Sequence, residues 1–469
     1  MSAKRIKRPP RRAEGQWERL KRWLEPGLGV KRWIVTLILA TALIGLGVAL
    51  LLLDIYRANP GSEFLAVLSL AVFPRWLRAL LLGGFGLVIL LVSIFRLSRA
   101  LITPFLKPGD EVVEVVAAHR RRGRGPRIVA IGGGTGLSTL LRGLKQYSNN
   151  ITAIVTVADD GGSSGRLRRS LGLPPPGDIR ACIAALSHDE DLLTQLFQYR
   201  FRAGEELNGH SFGNLFIAAL SGVTGSFDQG VLEAGRLLSI GGSVMPSTLV
   251  DVNLVAEKEP LTSDHEIRIN GESRISDIPG RISRVELSPS APPAYPGAIN
   301  AILNADLVIL GPGSLYTSVI PNILVPDIVG AIKATRAFRM FICNVANQPG
   351  ETEGYNYKDH WQAIEDHAGP GLIDLMIINN YYEGRLPENV DWVKNGETQQ
   401  MDVPVFKTDL IDYDKPWHHD SYKLAESIID LLEERTGPLE MLPDNEELSA
   451  DIIDISMHKG AYYGNKNRH

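Results

Sequence analysis

The fold of this chain is decided by the stretch Arg127-Ile128-Val129-Ala130-Ile131-Gly132-Gly133-Gly134-Thr135-Gly136. Its first half is a short apolar run typical of a buried strand. Leucines then recur at helical spacing, at Leu137, Leu140, Leu141 and Leu144. The glycines therefore form a turn from a strand into a helix. A second apolar run, Ile151 to Ala158, closes a βαβ unit and predicts a Rossmann-like parallel sheet with helices on both faces.

The glycine turn is suited to holding an anion. Glycines let backbone N–H groups approach a phosphate, and a helix N-terminus adds a partial positive charge. No Gly-Lys-Ser/Thr sequence follows, so the turn is not a P-loop and ATP hydrolysis is not indicated. A tight turn that only allows close helix packing is the alternative interpretation.

A second loop, Asp159-Asp160-Gly161-Gly162-Ser163-Ser164-Gly165, follows the second strand. Carboxylates at this end of such a strand often bind a ribose or a metal ion. Asp160 lies next to the glycines and has the freer geometry, so we expect any Mg²⁺ there. A solvated turn is the alternative for the aspartate pair.

The pattern of a strand followed by a polar loop recurs downstream. Strands Ala305 to Leu310, Arg339 to Cys343 and Ile373 to Ile378 lead into the loops Gly311 to Ser318, Asn344 to Thr352 and Asn379 to Tyr382. Because the carboxyl ends of parallel strands line one crevice, we expect five loops to face a single site.

Two predicted helices add polar candidates. The segment Pro174 to Asp178 favours a helix with Asp178 as its N-cap, Cys182 on its buried face and Arg180 free to meet a phosphate. A second helix begins within Gly209 to Asn214. There, His210 with Ser211 and Asn214 is either a sugar or phosphate contact or a structural residue. No second histidine stands at zinc-ligand spacing.

An antiparallel insertion is expected at about 244–285, where residues alternate in polarity and Asn270-Gly271 suggests a hairpin turn. The α/β domain then runs from 127 to 438 and closes with a helix around Leu424 to Leu432. Residues 439–469 are expected to be a flexible tail without chemistry.

The N-terminal region predicts a membrane anchor at 34–95. Ile34 to Leu53 is a twenty-residue run without charge or proline, and Ala79 to Phe95 is a seventeen-residue run between arginines, so we expect a transmembrane hairpin with two spans. Lys and Arg crowd the flanking segments 1–33 and 96–126, which places both ends in the cytoplasm at the cell membrane.

Charge and cysteine content narrow the function classes. Residues 1–32 carry a net charge of +8 and residues 128–469 one of −18, so the acidic body is a poor candidate for nucleic-acid binding. With only Cys182 and Cys343 there is neither a disulfide framework nor a cysteine-based zinc site.

The chain resembles the bacterial gluconeogenesis-factor family of the YvcK type. The resemblance rests on Ile131 to Lys145, Ile151 to Arg168, Pro174 to Arg180, Gly209 to Asn214, Gly311 to Ser318 and Cys343 to Tyr355. It covers about residues 127 to 435 and does not extend to the predicted spans. More distantly, the chain is similar to 2-phospho-L-lactate transferases of the CofD type.

The resemblance implies a regulator of carbon metabolism, cell shape and cell-envelope synthesis that binds a UDP-sugar such as UDP-N-acetylglucosamine and contacts protein partners in envelope synthesis. It leaves open whether a reaction is catalysed and whether the chain forms homo-oligomers. The transferase branch implies a Mg-dependent phosphoryl-group transferase in which Asp159, Asp160 and Asp178 serve a metal and the transferred group. A third hypothesis, from the sequence pattern alone, is a nicotinamide dehydrogenase with a dinucleotide in the same groove. It ranks last because the sequence indicates no second catalytic constellation for hydride transfer. The expected nucleotide and phosphate contacts are Gly132, Gly133, Gly134, Thr135, Gly136, Gly162, Ser163, Ser164, Arg180, His210, Ser211, Asn214, Gly311, Gly313, Ser314, Tyr316, Thr317, Asn344 and Gln348.

Overall fold

The computed structural model describes residues 125–187, 192–260, 265–394 and 401–436, with scattered positions between 41 and 123. Apart from isolated positions, the two predicted spans lie outside the described residues, as do the basic segment 1–33 and the tail 439–469. Among the residues that are described, no single helix has the length and apolar character needed to cross a bilayer. Two sharply bent helix pairs, Phe212–Thr224 with Phe227–Leu237 and Leu315–Ile323 with Pro326–Ala334, meet those criteria together.

The domain is built from both strands and helices. In chain order the elements are β1 Ile128–Gly132, α1 Gly134–Leu144, β2 Ile151–Val155, α2 Gly162–Leu171, α3 Gly177–Leu186, α4 Leu192–Gln198, α5 Phe212–Thr224, α6 Phe227–Leu237, β3 Ser243–Pro246, β4 Asn253–Pro260, β5 Ile267–Asn270, α7 Glu272–Ile275, β6 Gly280–Ser288, α8 Pro296–Leu303, β7 Leu307–Leu310, a π-helical turn Leu315–Val319, α9 Ile320–Ile323, α10 Pro326–Ala334, β8 Phe338–Ile342, α11 Tyr357–Ala368, β9 Leu375–Asn379, β10 Val405–Thr408 and α12 Ser421–Thr436.

Seven strands form one parallel sheet in the order β10-β9-β8-β7-β1-β2-β3. Strand β1, between β7 and β2, is buried on both faces. Val129 and Ile131 join one core with α8 to α11, whereas Ile128 and Ala130 join a second core with α1, α3 and α12. Helices therefore cover both faces, which confirms the predicted sheet.

The order of strands reverses beside β1. The chain moves outward through β2 and β3 and then returns to β7, which pairs with the other side of β1. Ligands of such sheets bind outside the carboxyl ends of the strands at this reversal. The topology thus puts the loops after β1, β2 and β7 near the expected site.

The antiparallel insertion exists, but its boundaries differ from the prediction. Val244 lies in β3 of the main sheet, and the insertion is the three-stranded sheet β5-β4-β6 of residues 253–288. The hairpin predicted at Asn270-Gly271 is wrong, because β5 ends there and leads into the single turn α7. Gly271 has φ +103°, and a Cβ on it would lie 2.3 Å from Asp160 Oδ2. The glycine serves close packing against the second loop.

Candidate functional site

A cleft of about 300 Å³ opens at the carboxyl ends of β1 and β2. The starts of three helices border it, at Gly134 of α1, Gly162 of α2 and Gly177 of α3. None of these helices has a side-chain hydrogen bond from its N-cap residue. Backbone N–H groups of a first helical turn have no intrahelical partner, so the cleft gathers donors and positive helix ends suited to an anion.

Asp178 reaches across this cleft. Its Oδ2 accepts a hydrogen bond of 2.8 Å from the Gly134 N–H. The prediction that Asp178 caps its own helix is wrong, because α3 begins one residue earlier and its N-cap, Pro176, has no capping side chain. The carboxylate instead satisfies a donor of α1, 44 residues away in sequence.

The adjacent aspartates of the second loop point to different places. Asp159 lines the cleft, and its Oδ1 accepts a hydrogen bond of 2.9 Å from the Gly161 N–H. Asp160 Oδ1 accepts one of 2.9 Å from the N–H of Ser273, which belongs to α7 of the insertion. The second loop is thereby fastened to the insertion through Asp160, while Asp159 faces the space a ligand would fill.

Burial and crowding change the acidity of the carboxyl groups here. Burial, and then the charge of the neighbouring Asp159, raise the pKa of Asp178 to about 6. Burial likewise raises the pKa of Asp159. Glu272, on α7, was not predicted from the sequence, yet burial and then the charges of Asp159 and Glu351 raise its pKa to about 8. No signal in the neighbouring sequence identifies Glu272 as a site residue, because only the fold of the insertion brings it to the aspartates. Shifted carboxyl groups of this kind cluster at functional sites.

Two buried polar atoms in side chains that border the cleft have no hydrogen-bond partner among the described residues. They are Nε of Arg180, a donor, and Oδ1 of Asn214, an acceptor. Burial lowers the pKa of Arg180, and the positive charge of Arg200 lowers it further. A ligand that offers both an anionic acceptor and a hydroxyl or amide donor would satisfy both atoms.

Ser163, His210, Ser211 and Asn214 form one network at the start of α2 and α5. Ser163 Oγ lies 3.0 Å from His210 Nδ1 and accepts a hydrogen bond of 3.1 Å from Asn214 Nδ2. Ser211 is the N-cap of α5, and its Oγ accepts from the Asn214 N–H. Burial lowers the pKa of His210, and the nearby Arg166 lowers it further. The structure thus brings these four predicted residues together, with Ser163 and Asn214 bordering the cleft.

The loop after β7 contacts the first loop but binds mainly protein. A Cβ on Gly136 would lie 2.6 Å from the Pro312 carbonyl oxygen, and Asn344 makes two hydrogen bonds to the backbone of Gly313. Asn379 is buried. Its Nδ2 donates to the carbonyl oxygen of Tyr381 in the same loop, and its Oδ1 accepts from the N–H of Leu410, which follows β10. These loops support the crevice, while the cleft itself is bordered by the loops after β1 and β2.

Four further predicted contacts belong to an internal network beside this crevice. Glu351 is buried and accepts hydrogen bonds from Thr317 and from Gln348, which in turn accepts one from Ser314. The Tyr316 hydroxyl lies 2.9 Å from that of Tyr355. None of these four predicted residues is among those that border the cleft.

A metal ion would need ligands beyond those the protein supplies. Across the described ranges, no group of three or more His, Cys, Asp or Glu is arranged to hold a metal ion. Asp159 and Asp178 lie close enough for the charge of Asp159 to raise the pKa of Asp178. Mg²⁺ is commonly held by one or two carboxylates together with phosphates of the substrate. These two residues fit that mode, in which phosphates of a bound molecule would provide the remaining ligands.

Comparisons with known proteins agree with this architecture. The family model described as 2-phospho-L-lactate transferase CofD matches residues 128–424. A protein of Bacillus subtilis named gluconeogenesis factor is 45% identical over 322 residues, which are 66% of this chain and 100% of that protein. One from Halalkalibacterium halodurans with the same name is 50% identical over 252 residues, or 54% of this chain and 77% of that one.

A solved structure has the same fold. The crystal structure of a UPF0052 family protein from Bacillus halodurans superposes with a TM-score of 0.61 at 41% identity, over 65% of this chain and 99% of that one. The family model covers more than half of this chain, and the whole of a relative aligns at far above 30% identity. The chain therefore belongs to the gluconeogenesis factor family, within the wider group of proteins that share the CofD fold.

Proposed function

We propose that the chain is a regulator of carbon metabolism and cell-envelope synthesis that binds a nucleotide-sugar, such as UDP-N-acetylglucosamine, in the cleft. One observation carries this proposal. A donor without a partner, Arg180 Nε, and an acceptor without a partner, Asn214 Oδ1, belong to side chains that border the same cleft as three helix N-termini. A nucleotide-sugar has the matching chemistry. Its diphosphate accepts from arginine and backbone N–H groups, and its hydroxyl and amide groups donate.

The acidic side chains favour a cation in the same complex. Asp159 and Asp178 face the cleft, so a diphosphate entering it would meet two carboxylates as well as the helix ends. Mg²⁺ bound by these carboxylates and the phosphates would remove the repulsion. We therefore expect Mg²⁺ to tighten nucleotide binding. Asp160, the metal ligand expected from the sequence, stays a prediction, and its Oδ1 accepts a hydrogen bond from the Ser273 N–H.

The direct experiment is calorimetric titration of the full-length chain with UDP-N-acetylglucosamine, with and without Mg²⁺, and with NAD as a second ligand. Arg180→Met should weaken binding of the nucleotide-sugar by at least about tenfold, since a charged hydrogen bond contributes about 1.5–3 kcal/mol. The control is Arg236→Met, which removes an exposed arginine paired with Glu233 on α6 and should leave the affinity unchanged. Equal affinities of the wild type and Arg180→Met would contradict the proposal, as would preference for NAD.

A second candidate function is a Mg-dependent phosphoryl-group transferase. It is favoured by the match to the CofD family model and by the pair Asp159 and Asp178. Mass analysis of the ligand after incubation with Mg²⁺ and phosphate-accepting hydroxy acids separates the two functions. Unchanged ligand supports a regulator, whereas a transferred phosphoryl group supports the transferase.

We further propose that the N-terminal region anchors the chain in the membrane. Two spans at Ile34 to Leu53 and Ala79 to Phe95 would hold the domain at the cytoplasmic face of the cell membrane, beside the proteins that build the envelope. Fractionation of cells that produce the full chain and a chain lacking residues 34–95 tests it. The full chain should sediment with membranes, and the shortened chain should not.

A further inference from the structure

The hydroxyl of Ser163 is the centre of a hydrogen-bond network in which each donor and acceptor can be assigned. A serine hydroxyl has one proton to donate and two lone pairs that accept. Asn214 Nδ2 donates to Ser163 Oγ at 3.1 Å, and the Ser211 N–H donates to it at 3.4 Å. Both lone pairs are therefore used. The third partner, His210 Nδ1 at 3.0 Å, must accept the hydroxyl proton.

This assignment determines the protonation state and the tautomer of His210. Because Nδ1 accepts, it carries no proton, and the neutral ring bears its proton on Nε2. The surroundings maintain this state. Arg166, on α2, lowers the pKa of His210, and Arg200 Nη1 donates to the carbonyl oxygen of Gly209, the residue before the histidine. The charge that acts on the imidazole is therefore the cation of Arg166.

Protonation of His210 cannot leave the arrangement unchanged. A proton on Nδ1 turns that atom into a third donor toward an oxygen with two occupied lone pairs. The imidazolium therefore needs a lone pair that the longer bond, 3.4 Å from the Ser211 N–H, must release. The Ser163 hydroxyl proton, having lost its acceptor, turns elsewhere. Ser163 lies in the first turn of α2 and borders the cleft, where the phosphate of the proposed ligand would sit.

We propose that His210 and Ser163 form a proton-linked phosphate contact, in which His210 takes up a proton as an anionic ligand binds and Ser163 then donates its hydroxyl proton to that ligand. The contact deepens the proposed function and rests on it. No covalent bond forms or breaks. The proton comes from solvent, and the added positive charge of the imidazolium offsets the negative charge of the phosphate. Linkage is reciprocal, so a lower pH strengthens binding and binding raises the pKa of His210.

The first test reads the resting state directly. The full-length chain labelled with ¹⁵N-histidine should show His210 as the Nε2–H tautomer near neutral pH, assigned by comparison with His210→Asn. Addition of UDP-N-acetylglucosamine should shift both ring nitrogens to their protonated values. A resting Nδ1–H tautomer would overturn the inference, because the Ser163 hydroxyl would then not be held by His210.

The second test measures the proton itself. Calorimetric titration with UDP-N-acetylglucosamine at pH 7 in two buffers of different ionisation enthalpy gives the number of protons taken up. Asp159 and Asp178 can contribute, so the difference between variants is the readout. His210→Asn keeps an acceptor for the Ser163 hydroxyl but cannot titrate, and it should lower the uptake. His418→Asn, which changes a histidine on the segment before α12, should not.

The outcomes separate this inference from the proposed function. Between pH 8 and pH 6 the wild-type affinity should rise several-fold more than that of His210→Asn, with a limit of about tenfold per pH unit for one linked proton. Binding with equal proton uptake in both proteins overturns the contact and leaves the nucleotide site standing. Failure of the wild type to bind the nucleotide-sugar at all overturns both.

Discussion

The Asp178 carboxylate accepts a hydrogen bond of 2.8 Å from the amide of Gly134, which joins the first turn of α1 to the first turn of α3. The bond gives α1 a cap that its own N-terminal sequence lacks. It also holds a buried carboxylate at the cleft, where an ionised group costs free energy unless it is compensated. The hydrogen bond from Gly134 compensates only in part, because the pKa of Asp178 is still raised.

Replacing Asp178 by Asn should stabilise the protein without ligand. The folded-state pKa of Asp178 is about 6, raised from 3.8, so its charged form is disfavoured by folding. A raised acid pKa means that stability is lost as pH rises from about 4 to 6, by up to about 3 kcal/mol for a shift of this size. Asn keeps an acceptor for the Gly134 N–H. We expect Asp178→Asn to raise the free energy of unfolding by about 1–3 kcal/mol at pH 8.

Urea denaturation at pH 8 and pH 5 measures this effect. The difference in free energy of unfolding between Asp178→Asn and the wild type should be about half as large at pH 5, where the folded wild type is mostly protonated at Asp178. The same variant should lose the Mg²⁺ enhancement of nucleotide binding. A variant less stable than the wild type at pH 8 would contradict the assignment of a destabilised carboxylate.

Glu272→Gln should act in a higher pH range. The pKa of Glu272 is raised from 4.5 to about 8 by burial and by the carboxylates around it, so the destabilisation caused by its charged form grows as pH rises from about 4.5 to 8 and is constant above that range. We expect the free energy of unfolding of the variant to exceed that of the wild type by about 2 kcal/mol at pH 8.5, and by less at pH 6. Thermal denaturation across this range distinguishes the two acids, because the contribution of Asp178 is constant above about pH 7. A gain that does not change between pH 6 and pH 8.5 would disprove the shifted pKa of Glu272.

The close approach of the loops after β1 and β7 can be tested at Gly136. An added Cβ would lie 2.6 Å from the Pro312 carbonyl oxygen, which is backbone and cannot move aside as a side chain could. Gly136→Ala should therefore destabilise the fold by about 2–3 kcal/mol. The matched control is Gly330→Ala within α10, where nothing lies within 4 Å of the added atom. It should stabilise by about 0.5–1 kcal/mol. Equal unfolding midpoints for the two variants would show that the loops do not pack as described.

Gly134 borders the cleft and has φ +62°, a conformation that side chains rarely adopt. Gly134→Val would strain the first turn of α1 and place a branched side chain where backbone N–H groups meet the anion. We expect at least a tenfold loss of affinity for UDP-N-acetylglucosamine, measured by calorimetry on protein whose circular dichroism matches the wild type. Retained affinity in a folded variant would remove the first loop from the anion site.

The local part of the architecture was predictable because each of its signals lies within a short segment. The strand, glycine turn and leucine spacing of 128–144 are adjacent in sequence, and they gave β1 and α1 almost to the residue. The antiparallel insertion was also predictable from its alternation, although Val244 was assigned to it wrongly. That residue belongs to β3, because its strand pairs in parallel with β2.

The amino-acid sequence by itself determined the βαβ unit, the parallel sheet, the family and the loops from which the site is built, because these depend on periodicity and on runs of neighbouring residues. Only the tertiary structure decided which polar groups meet. Asp178 bonds to Gly134 instead of capping its own helix, Asp160 turns to α7, and Ser163 lies against His210. Burial and hydrogen-bond partners arise from contacts between segments tens to more than a hundred residues apart, and those contacts exist only once the chain has folded.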